Sequence, residues 1–409
     1  MSEAIVLGAG MVGVASALAL QARGHQVVLV DRREPGRETS YGNAGIIQAE
    51  AMEPYAMPLG LGDLFAIAAR RTNNVHWHLA ALPGMARPLL AYLAHSFPAR
   101  HRAASVIYSQ LIRRATSDHA PLIEASGAGD LVSRDGFRQA YRSARRMDEA
   151  VKEAEHLRRE YGVGVRVLTS DMLSAEEPAL RKRLEGALHW TEAWSSSDPG
   201  GLVAAYADLF ARRGGTLATG DAMSLARHGA AWRVMGDAGP IEAENVVVAL
   251  GPWSPQLLAR FGYPVPMLRK RGYHRHYRQT TPLRQPLMDT ETGAVCSPMR
   301  IGLRIATGAE LAAFDAAPTP RQLAFAERRV AELFDLGEPV EAEPWLGNRP
   351  CMPDMLPVVG RAPRDAGLWF HFGHGHQGFT LGPTTANLLA AQVDGERGEP
   401  LAESLAYRF

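Results

Sequence analysis

Three glycines and one acid near the start of the chain have the spacing of a dinucleotide-binding loop. Gly8, Gly10 and Gly13 follow a short apolar run in the order GxGxxG, and Asp31 ends a second apolar run. Such glycines allow a tight turn, close approach of backbone N–H groups to a pyrophosphate, and close packing of a helix on a strand. The helix N-terminus favours the phosphates, and the acid accepts hydrogen bonds from ribose hydroxyls. The unit predicts a site for FAD or NAD, because a carboxylate repels the 2′-phosphate of NADP.

Two further segments have the composition of ligand-facing loops. The run 39–45, TSYGNAG, has small residues that let a backbone lie against a flat ring, and Ser40 and Asn43 can donate to oxygens. The apolar run 246–250 predicts a buried strand that ends at Gly251, and ligands bind at the carboxyl ends of parallel strands. The alternative for the run 39–45 is a polar surface loop. The alternative for the strand that ends at Gly251 is a strand-to-helix turn that binds no ligand.

A glycine-rich histidine cluster near the C-terminus raises the question of a metal site. His371, His374 and His376 lie close together in the sequence, with glycines between them. No cysteine or carboxylate stands beside them to complete a shell of ligands, and the glycines favour close approach of the backbone to a ligand. We therefore expect imidazoles that act as donors or proton acceptors in a ligand-binding wall, with a metal site as the alternative.

One arginine stands in a proline-rich stretch that would hold it rigidly. Arg349 lies within 347–357, GNRPCMPDMLP, which contains three prolines. A planar guanidinium is the preferred two-pronged partner of a carboxylate. Two interpretations stay open, a site for a substrate carboxylate and a structural ion pair with Asp354.

The elements around these motifs predict a nucleotide-binding domain that is interrupted in the sequence. Helices are predicted at 12–22, 61–71, 89–95, 102–125, 145–161, 199–213, 320–334 and 383–393, strands at 4–7, 27–30, 216–219, 231–235, 246–250 and 367–372, strand-like alternation over 265–310, and a glycine-rich loop at 374–382. The alternation of predicted strands and helices stops after about residue 50 and recurs in the middle and near the end of the sequence. This layout favours a flavin over NAD, because a nicotinamide-binding half is usually contiguous.

The composition predicts an ordinary globular protein of two or three domains. The chain has 409 residues and a formal net charge of +1, which gives no electrostatic footprint for nucleic acid. Its two cysteines, Cys296 and Cys351, form no disulfide framework and favour a reducing cytoplasm. No uncharged run reaches the roughly 20 residues of a membrane span. We expect a cytoplasmic protein, and peripheral contact with the inner membrane is left open.

Taken together and in this order, the motifs resemble the FAD-dependent D-amino acid oxidase/dehydrogenase superfamily. The resemblance is closest to bacterial D-amino acid dehydrogenases and the related hydroxyproline dehydrogenases. It rests on GAGMVG (8–13), LVD (29–31), TSYGNAG (39–45), VVVALGPWS (246–254), GLRIATGAEL (302–311), GNRPCMPDMLPVVG (347–360), FGHGHQGFTLGP (372–383) and YRF (407–409). Residues 51–200 carry no motif that we can assign, and we expect substrate choice to lie there.

The resemblance implies an α/β fold with two domains and a non-covalent FAD between them. The Rossmann-like FAD-binding domain, of glutathione-reductase type, is expected at 1–50, 198–255 and 345–409. The inserted substrate domain, an antiparallel sheet with helices, is expected at 51–197 and 256–344. The residues expected to bind FAD are Gly8, Gly10, Met11, Val12, Gly13, Asp31, Arg32, Ser40, Asn43, Ala44, Gly45, Ile46, Met223, Gly251, Trp253, Gly375, Gln377, Gly378, Phe379 and Thr380.

The resemblance also implies where the substrate binds. Its carboxylate is expected on Arg349, and His376 stands near the place where some relatives have a second arginine. Arg304 stands where some oxidases keep a lysine that promotes reaction with oxygen, which weakens an oxidase assignment. Cys351 lies near the cysteine that attaches FAD in sarcosine-oxidase-like relatives, but the sequence after it resembles the non-covalent branch. The expected catalytic residues are Arg349, His374, His376, Tyr273 and Arg304.

We therefore expect an FAD-dependent amino-acid dehydrogenase or oxidase. It would transfer a hydride from Cα of a D-amino acid or a cyclic, proline- or hydroxyproline-like imino acid to flavin N5, giving an imine that hydrolyses or cyclises. One alternative is a sarcosine-like substrate or an amine without a carboxylate. Another is a flavin subunit of an electron-relay complex, docked through the apolar segment 54–97. The expected partners are an amino-acid substrate and an electron acceptor, which is a quinone, another carrier or oxygen, and no nucleic acid.

Overall fold

The computed structural model describes residues 3–69, 73, 75–396 and 399–409, which form three sheets and the helices packed on them. The strands are β1 (Glu3–Leu7), β2 (Gln26–Asp31), β3 (Ile46–Ile47), β4 (Val75–Trp77), β5 (Val132–Ser133), β6 (Phe137–Tyr141), β7 (Val165–Thr169), β8 (Gly186–Trp190), β9 (Trp194–Ser196), β10 (Thr216–His228), β11 (Ala231–Gly236), β12 (Gly239–Ala243), β13 (Asn245–Val248), β14 (Leu268–Gln279), β15 (Leu287–Asp289), β16 (Ala294–Met299), β17 (Gly302–Ala306), β18 (Ala309–Leu311), β19 (Leu336–Pro339), β20 (Trp345–Cys351), β21 (Val358–Arg361) and β22 (Leu368–Phe372). The helices are α1 (Met11–Ala22), α2 (Leu61–Ala68), α3 (Leu82–His95), α4 (Pro98–Ser126), α5 (Ala144–Tyr161), α6 (Ser170–Glu176), α7 (Pro199–Arg212), α8 (Ser254–Ala259), α9 (Arg321–Val330), α10 (Gly378–Val393) and α11 (Pro400–Ser404).

The first sheet carries the predicted dinucleotide loop at the end of a central strand. Its eight strands run in the order β12-β11-β10-β2-β1-β13-β22-β21, and the pairs from β10 to β22 are parallel. Along β1, Ala4 and Val6 pack into one hydrophobic core while Ile5 and Leu7 pack into another. A strand with two buried faces needs a continuous apolar run, which is what the sequence shows.

The second sheet forms the inserted domain. It has eleven strands, most of them antiparallel, with β14 paired to β17, β18, β19 and β20. The alternating residues of 265–310 thus do form strands. A small third sheet of β3, β9 and β5 lies beside them. The predicted fold class, an α/β nucleotide domain with an inserted sheet-and-helix domain, is confirmed.

The sheets divide the chain differently from the predicted domain boundary at residue 345. Strand β20 pairs with β14 along its length, and Cys351 lies opposite Leu268. Residues 345–351 therefore belong to the sheet of the inserted domain, and the nucleotide-domain sheet resumes only with β21. As a result, Arg349 on β20 approaches the nucleotide-binding half from the inserted domain.

The predicted glycine-rich loop at 374–382 is partly wrong. Helix α10 begins at Gly378, so that Gly382 lies inside it. A Cβ atom at Gly382 would lie 2.8 Å from Cγ of Met11 in α1. The glycine therefore serves the close packing of two helices, which a local reading of composition cannot distinguish from a loop.

The other predicted helices are found with shifted ends. The helix predicted at 61–71 is observed as α2, which ends at Ala68, and residues 70–72 lie outside the described residues. The helix predicted at 89–95 is the second half of α3, which starts at Leu82. No helix among the described residues combines the length and apolar character needed to cross a membrane.

Candidate active site

A cavity of about 1070 Å³ lies between the two large sheets. Its walls come from the loop after β1, the carboxyl end of β13, the face of β14 and β20, and the helices α2 and α3. Small-molecule sites usually have volumes of about 300–1,000 Å³. The size suits a dinucleotide together with a small substrate.

The glycine loop is shaped by close backbone packing. Gly8 has φ +104°, and a Cβ atom there would lie 2.6 Å from the carbonyl oxygen of Ala249. At Gly13 a Cβ atom would lie 1.7 Å from the carbonyl oxygen of Gly8. Any side chain at these two positions would collide with the backbone and force the loop into another conformation. The loop thus has the form that a pyrophosphate requires.

Asp31 links the loop to the second strand. Its Oδ2 accepts a hydrogen bond from the Ala9 N–H at 2.6 Å, and its Oδ1 accepts from the Arg33 N–H at 3.1 Å. Burial raises the pKa of Asp31, and these backbone donors oppose the rise. Asp31 also lines the cavity. The carboxylate is held at the place where ribose hydroxyls are expected.

The loop 39–45 is held together by its own side chains. Ser40 Oγ accepts from the Met11 N–H at 3.0 Å, and Asn43 Oδ1 accepts from the Gly45 N–H at 2.8 Å. These two oxygens act as acceptors that fix the loop, and donation from the Ser40 hydroxyl and the Asn43 amide to a ligand stays a prediction. Both residues line the cavity, so they shape its wall through the loop backbone.

Arg304 is not part of the cavity wall. Its guanidinium donates to the carbonyl oxygen of Tyr41 at 2.9 Å and to that of Asn43, and its Nε donates to Nε2 of His276 at 2.9 Å. Burial lowers the pKa of Arg304 to about 10. Arg304 was predicted among the catalytic residues, and the contacts of its guanidinium are structural instead. Arg304 ties the loop 39–45 to the inserted sheet.

Arg349 lies in the cavity wall with Lys270 beside it. The two residues are paired across β14 and β20, and both line the cavity. The Arg349 guanidinium donates to the carbonyl oxygens of Thr307 at 2.9 Å and Gly308 at 2.7 Å. Asp354 pairs with Arg408 instead, so the ion pair considered between Arg349 and Asp354 is wrong. No ion pair among the described residues includes Arg349.

The three C-terminal histidines are neutral around pH 7. Burial lowers the pKa of His374 to about 3, and it lowers those of His371 and His376 well below 6.5. Nε2 of His371 and Nε2 of His374 both form hydrogen bonds with Thr385 Oγ1, at 2.8 and 3.0 Å. Nδ1 of His371 lies 2.6 Å from Ser16 Oγ. The hydroxyl groups of Ser16 and Thr385 thus orient the imidazoles of His371 and His374. All three histidines line the cavity.

Tyr273 lines the cavity, and its hydroxyl is bonded to other residues of the inserted domain. Its hydroxyl donates to Glu310 at 2.7 Å and accepts from Arg271 at 2.8 Å. Glu310 is also part of the one group of described residues whose donor atoms are close enough for a metal, with His76 and His78. Because Arg271 Nε lies 2.9 Å from the same carboxylate, a further cation there would be repelled.

The structure brings most of the predicted site residues to one cavity. Those that line it are Gly8, Gly10, Met11, Val12, Asp31, Arg32, Ser40, Asn43, Ala44, Ile46, Met223, Gly251, Trp253, Gly375, Gly378, Phe379, Arg349, His374, His376 and Tyr273. The remaining ones, which support the wall from behind, are Gly13, Gly45, Gln377, Thr380 and Arg304.

The cavity residues that the sequence analysis missed include Lys270, Tyr92, Tyr55 and Gln48. Lys270 places its Nζ 4.2 Å from the ring centre of Tyr92, and the Tyr92 hydroxyl donates to the Tyr55 carbonyl at 2.6 Å. Gln48 lies on the wall near them. Lys270 stands in the alternating run 265–310, where every second residue shares a face, and that period is the one signal that could have found it.

The chain is similar to known proteins along its whole length. The family model described as "DAO: FAD dependent oxidoreductase" matches residues 3–392. A D-amino-acid oxidase of Bradyrhizobium diazoefficiens is 32% identical over 418 residues, covering 99% of this chain and 98% of that protein. A D-amino acid dehydrogenase of Cereibacter sphaeroides is 33% identical over 421 residues, covering 97% of this chain and 92% of that protein.

Solved structures share the fold. Glycine oxidase from Geobacillus kaustophilus superposes with a TM-score of 0.75 at 21% identity, covering 100% of both chains. L-proline dehydrogenase from P. horikoshii gives a TM-score of 0.73 at 16% identity, covering 99% of this chain and 96% of that one. At these identities the likeness shows the fold alone.

Proposed function

This chain belongs to the DAO family of FAD-dependent oxidoreductases, and we propose that it is a dehydrogenase that oxidises the C–N bond of a D-amino acid or a cyclic imino acid. It is an enzyme of the amino-acid oxidase/dehydrogenase class with FAD as its cofactor. The substrate, its configuration and the electron acceptor are the parts that we propose.

The observation that carries the proposal is the state of Arg349. Its guanidinium lies in the cavity wall, is bonded to two backbone carbonyls, and has no carboxylate partner among the described residues. A half-buried guanidinium favours an anion that can take its remaining donors. The α-carboxylate of an amino acid supplies that anion. An amine without a carboxylate leaves the charge of Arg349 without a partner.

The residues of the chain fit FAD in ways that do not depend on the family match. Gly8 and Gly13 form a cradle that a Cβ atom would fill, and Asp31 lies where a ribose is expected. FAD, when bound, supplies the acceptor for a hydride from the substrate Cα. We propose that it is held without a covalent bond. In support, Cys351 is buried, and burial raises the pKa of its thiol.

The work of this chain in the reaction is positioning. Arg349 fixes the carboxylate, so that the Cα hydrogen of one configuration faces the cofactor. His374 and His376 stay neutral at physiological pH. The substrate carboxylate is therefore attracted by the basic side chains of Arg349 and Lys270 rather than by these histidines. Residues of the helices α2 and α3 line the cavity beside Arg349 and Lys270.

Anaerobic reduction of the purified flavoprotein tests the proposal. The panel includes D- and L-amino acids, both prolines, cis-4-hydroxy-D-proline, sarcosine and a simple amine. We expect flavin bleaching by a D-amino acid or a proline-like acid, and none by the amine. If no member of the panel bleaches the flavin, the proposal is wrong. Bleaching by sarcosine alone would favour the N-methyl substrate instead.

The electron acceptor is tested by reoxidation of the reduced enzyme. We propose a quinone or another carrier, because Arg304, which holds the loop, stands where some oxidases have a lysine. Reduced enzyme is mixed with air-saturated buffer or with a soluble quinone analogue. Fast reoxidation by the quinone and slow reoxidation by air is the expected result. Comparable rates with air would make the protein an oxidase.

An apolar surface on α2 and α3 supports contact with an acceptor-bearing partner. The exposed fractions of Leu61, Phe65 and Leu90 are 85%, 61% and 66%. We propose that this surface meets either a partner subunit or the face of the inner membrane, in a protein that stays on the cytoplasmic side. Light scattering and co-sedimentation with vesicles distinguish the two. A fully active protein that binds neither would remove the relay alternative.

A further inference from the structure

Glu50 is a buried carboxyl directly behind the cavity wall. It follows β3, and its residue is 5% exposed. Oε1 accepts a hydrogen bond from Nε2 of Gln48 at 2.5 Å. Oε2 is buried and has no hydrogen-bond partner among the residues that the structure describes. No ion pair of the described part of the chain includes Glu50, so its charge is not balanced by a neighbouring cation.

Gln48 connects this carboxyl to the cavity. The Gln48 side chain lines the cavity, and its Oε1 accepts a hydrogen bond from Nε2 of Gln377, the residue before α10. Nε2 of Gln48 also lies 3.4 Å from the Tyr55 hydroxyl. The amide is therefore held on both sides, with its nitrogen toward Glu50 and its oxygen toward Gln377.

The two protonation states of Glu50 place different demands on Gln48. An ionised carboxylate can only accept, so it requires the amide nitrogen of Gln48 to face it. A protonated carboxyl can donate, and it can then bond the Gln48 oxygen in competition with Gln377. The orientation of an amide in the cavity wall thus depends on one buried proton.

We propose that Glu50 is a positioning residue whose protonation state fixes the Gln48 amide and thereby sets how strongly the cavity binds its substrate. The proposal rests on the function proposed above, since it takes this cavity to be the substrate site. Glu50 does not line the cavity, so it acts through Gln48 alone. Only the ionised form holds the binding-competent orientation.

The surroundings of Glu50 place its ionisation in the physiological range. Burial raises the pKa of Glu50 to about 7. The titratable side chains that lie near its charge are Tyr55, which is 51% exposed, and Tyr108, whose pKa is raised by burial and further by Glu50. The His376 ring packs on Tyr55 with 5.4 Å between ring centres, and burial keeps His376 neutral. Glu50 is the group of this set that changes charge near neutral pH.

Calorimetric titration of the holoenzyme with pyrrole-2-carboxylate tests the proposal. This planar proline analogue has no Cα hydrogen to transfer and no amine that titrates near neutral pH. In the wild type we expect affinity to weaken as the pH falls through about 7, by at most about tenfold per pH unit. Protons should be released on binding below that pH, as shown by titrations in buffers of different ionisation enthalpy.

Two variants separate positioning from a general structural effect. In Glu50→Gln and in Gln48→Leu, both the pH dependence and the proton release should disappear. Glu53→Gln is the matched control. Glu53 does not line the cavity, and its Oε1 accepts a hydrogen bond of 3.0 Å from the Tyr161 hydroxyl. That control should keep the wild-type profile.

Three results would overturn the proposal. A wild-type affinity independent of pH would do so even if Glu50→Gln fails to fold. Tighter binding at low pH would indicate direct repulsion by Glu50 rather than positioning through Gln48. An unchanged profile in Gln48→Leu would remove the connecting residue. Failure of the proposed function looks different, since no variant would then bind the carboxylate and no amino acid would bleach the flavin.

Discussion

Replacing Glu50 with glutamine measures the free energy of burying one charge behind the cavity. Burial raises the pKa of this carboxyl from 4.5 to about 7. Between these pH values the folded protein holds a proton that the unfolded chain has lost. The contribution of Glu50 to stability is therefore fully present below pH 4.5 and decreases until the pH reaches about 7.

The magnitude follows from that window. Each pH unit within it removes about 1.4 kcal/mol from the free energy of unfolding. The ionised carboxylate thus costs the fold about 3 kcal/mol above pH 7. Glutamine has nearly the same shape and cannot ionise, so Glu50→Gln should match the wild type near pH 4.5 and exceed its stability by about 3 kcal/mol near pH 8.

Urea unfolding at fixed FAD concentration, followed by tryptophan fluorescence at about pH 5, 6, 7 and 8, checks this expectation. The useful quantity is the change with pH of the difference between variant and wild type, which cancels any effect of the amide itself. Glu53→Gln serves as the control, because the Glu53 side chain is 29% exposed and pairs near the surface. Parallel pH profiles for the wild type and Glu50→Gln would refute the assignment of a buried ionisable carboxyl here.

Three further predictions concern the cofactor and the substrate. Asp31→Ala should keep the fold but lower FAD affinity by about 10- to 100-fold, since a charged hydrogen bond contributes about 1.5–3 kcal/mol; fluorescence of released FAD measures it, and exposed Glu34→Ala should have no effect. Arg349→Lys keeps the charge but loses the planar guanidinium that can bind a carboxylate through two N–H groups. It should raise the substrate KM about tenfold or more in steady-state kinetics. The control Arg361→Lys should leave that KM unchanged. Acid precipitation should leave all flavin in the supernatant, whereas yellow precipitate would place a covalent bond on Cys351.

The nucleotide site could be predicted because its signals are local in the sequence. Gly8 and Gly13 are required by backbone contacts within one strand–loop–helix unit, and Asp31 ends the strand next to it. Such units have a fixed geometry, so spacing alone places their residues. The carboxylate-binding role of Arg349 came from resemblance, and its place in the cavity depends on the pairing of β20 with β14.

The substrate end could not be predicted because it is assembled by long-range pairing. Lys270 faces the cavity only through the register that sets it opposite Arg349. Gln48 and Glu50 form a network with Gln377, more than three hundred residues away. Arg304 was placed by family position, but its orientation follows from carbonyls of the loop 39–45. No local period or spacing encodes these contacts.

The order of the strands in the first sheet has a consequence for biosynthesis. β1 is made before both of its neighbours in the sheet, β2 and β13, and α1 is made long before α10, against which it packs. At about 5–20 residues per second, translation takes tens of seconds to supply these partners. During that time α1 lacks the helix against which it packs. We therefore expect stable binding of FAD only after α10 has packed against α1, so that a protein shortened before α10 should be made without flavin.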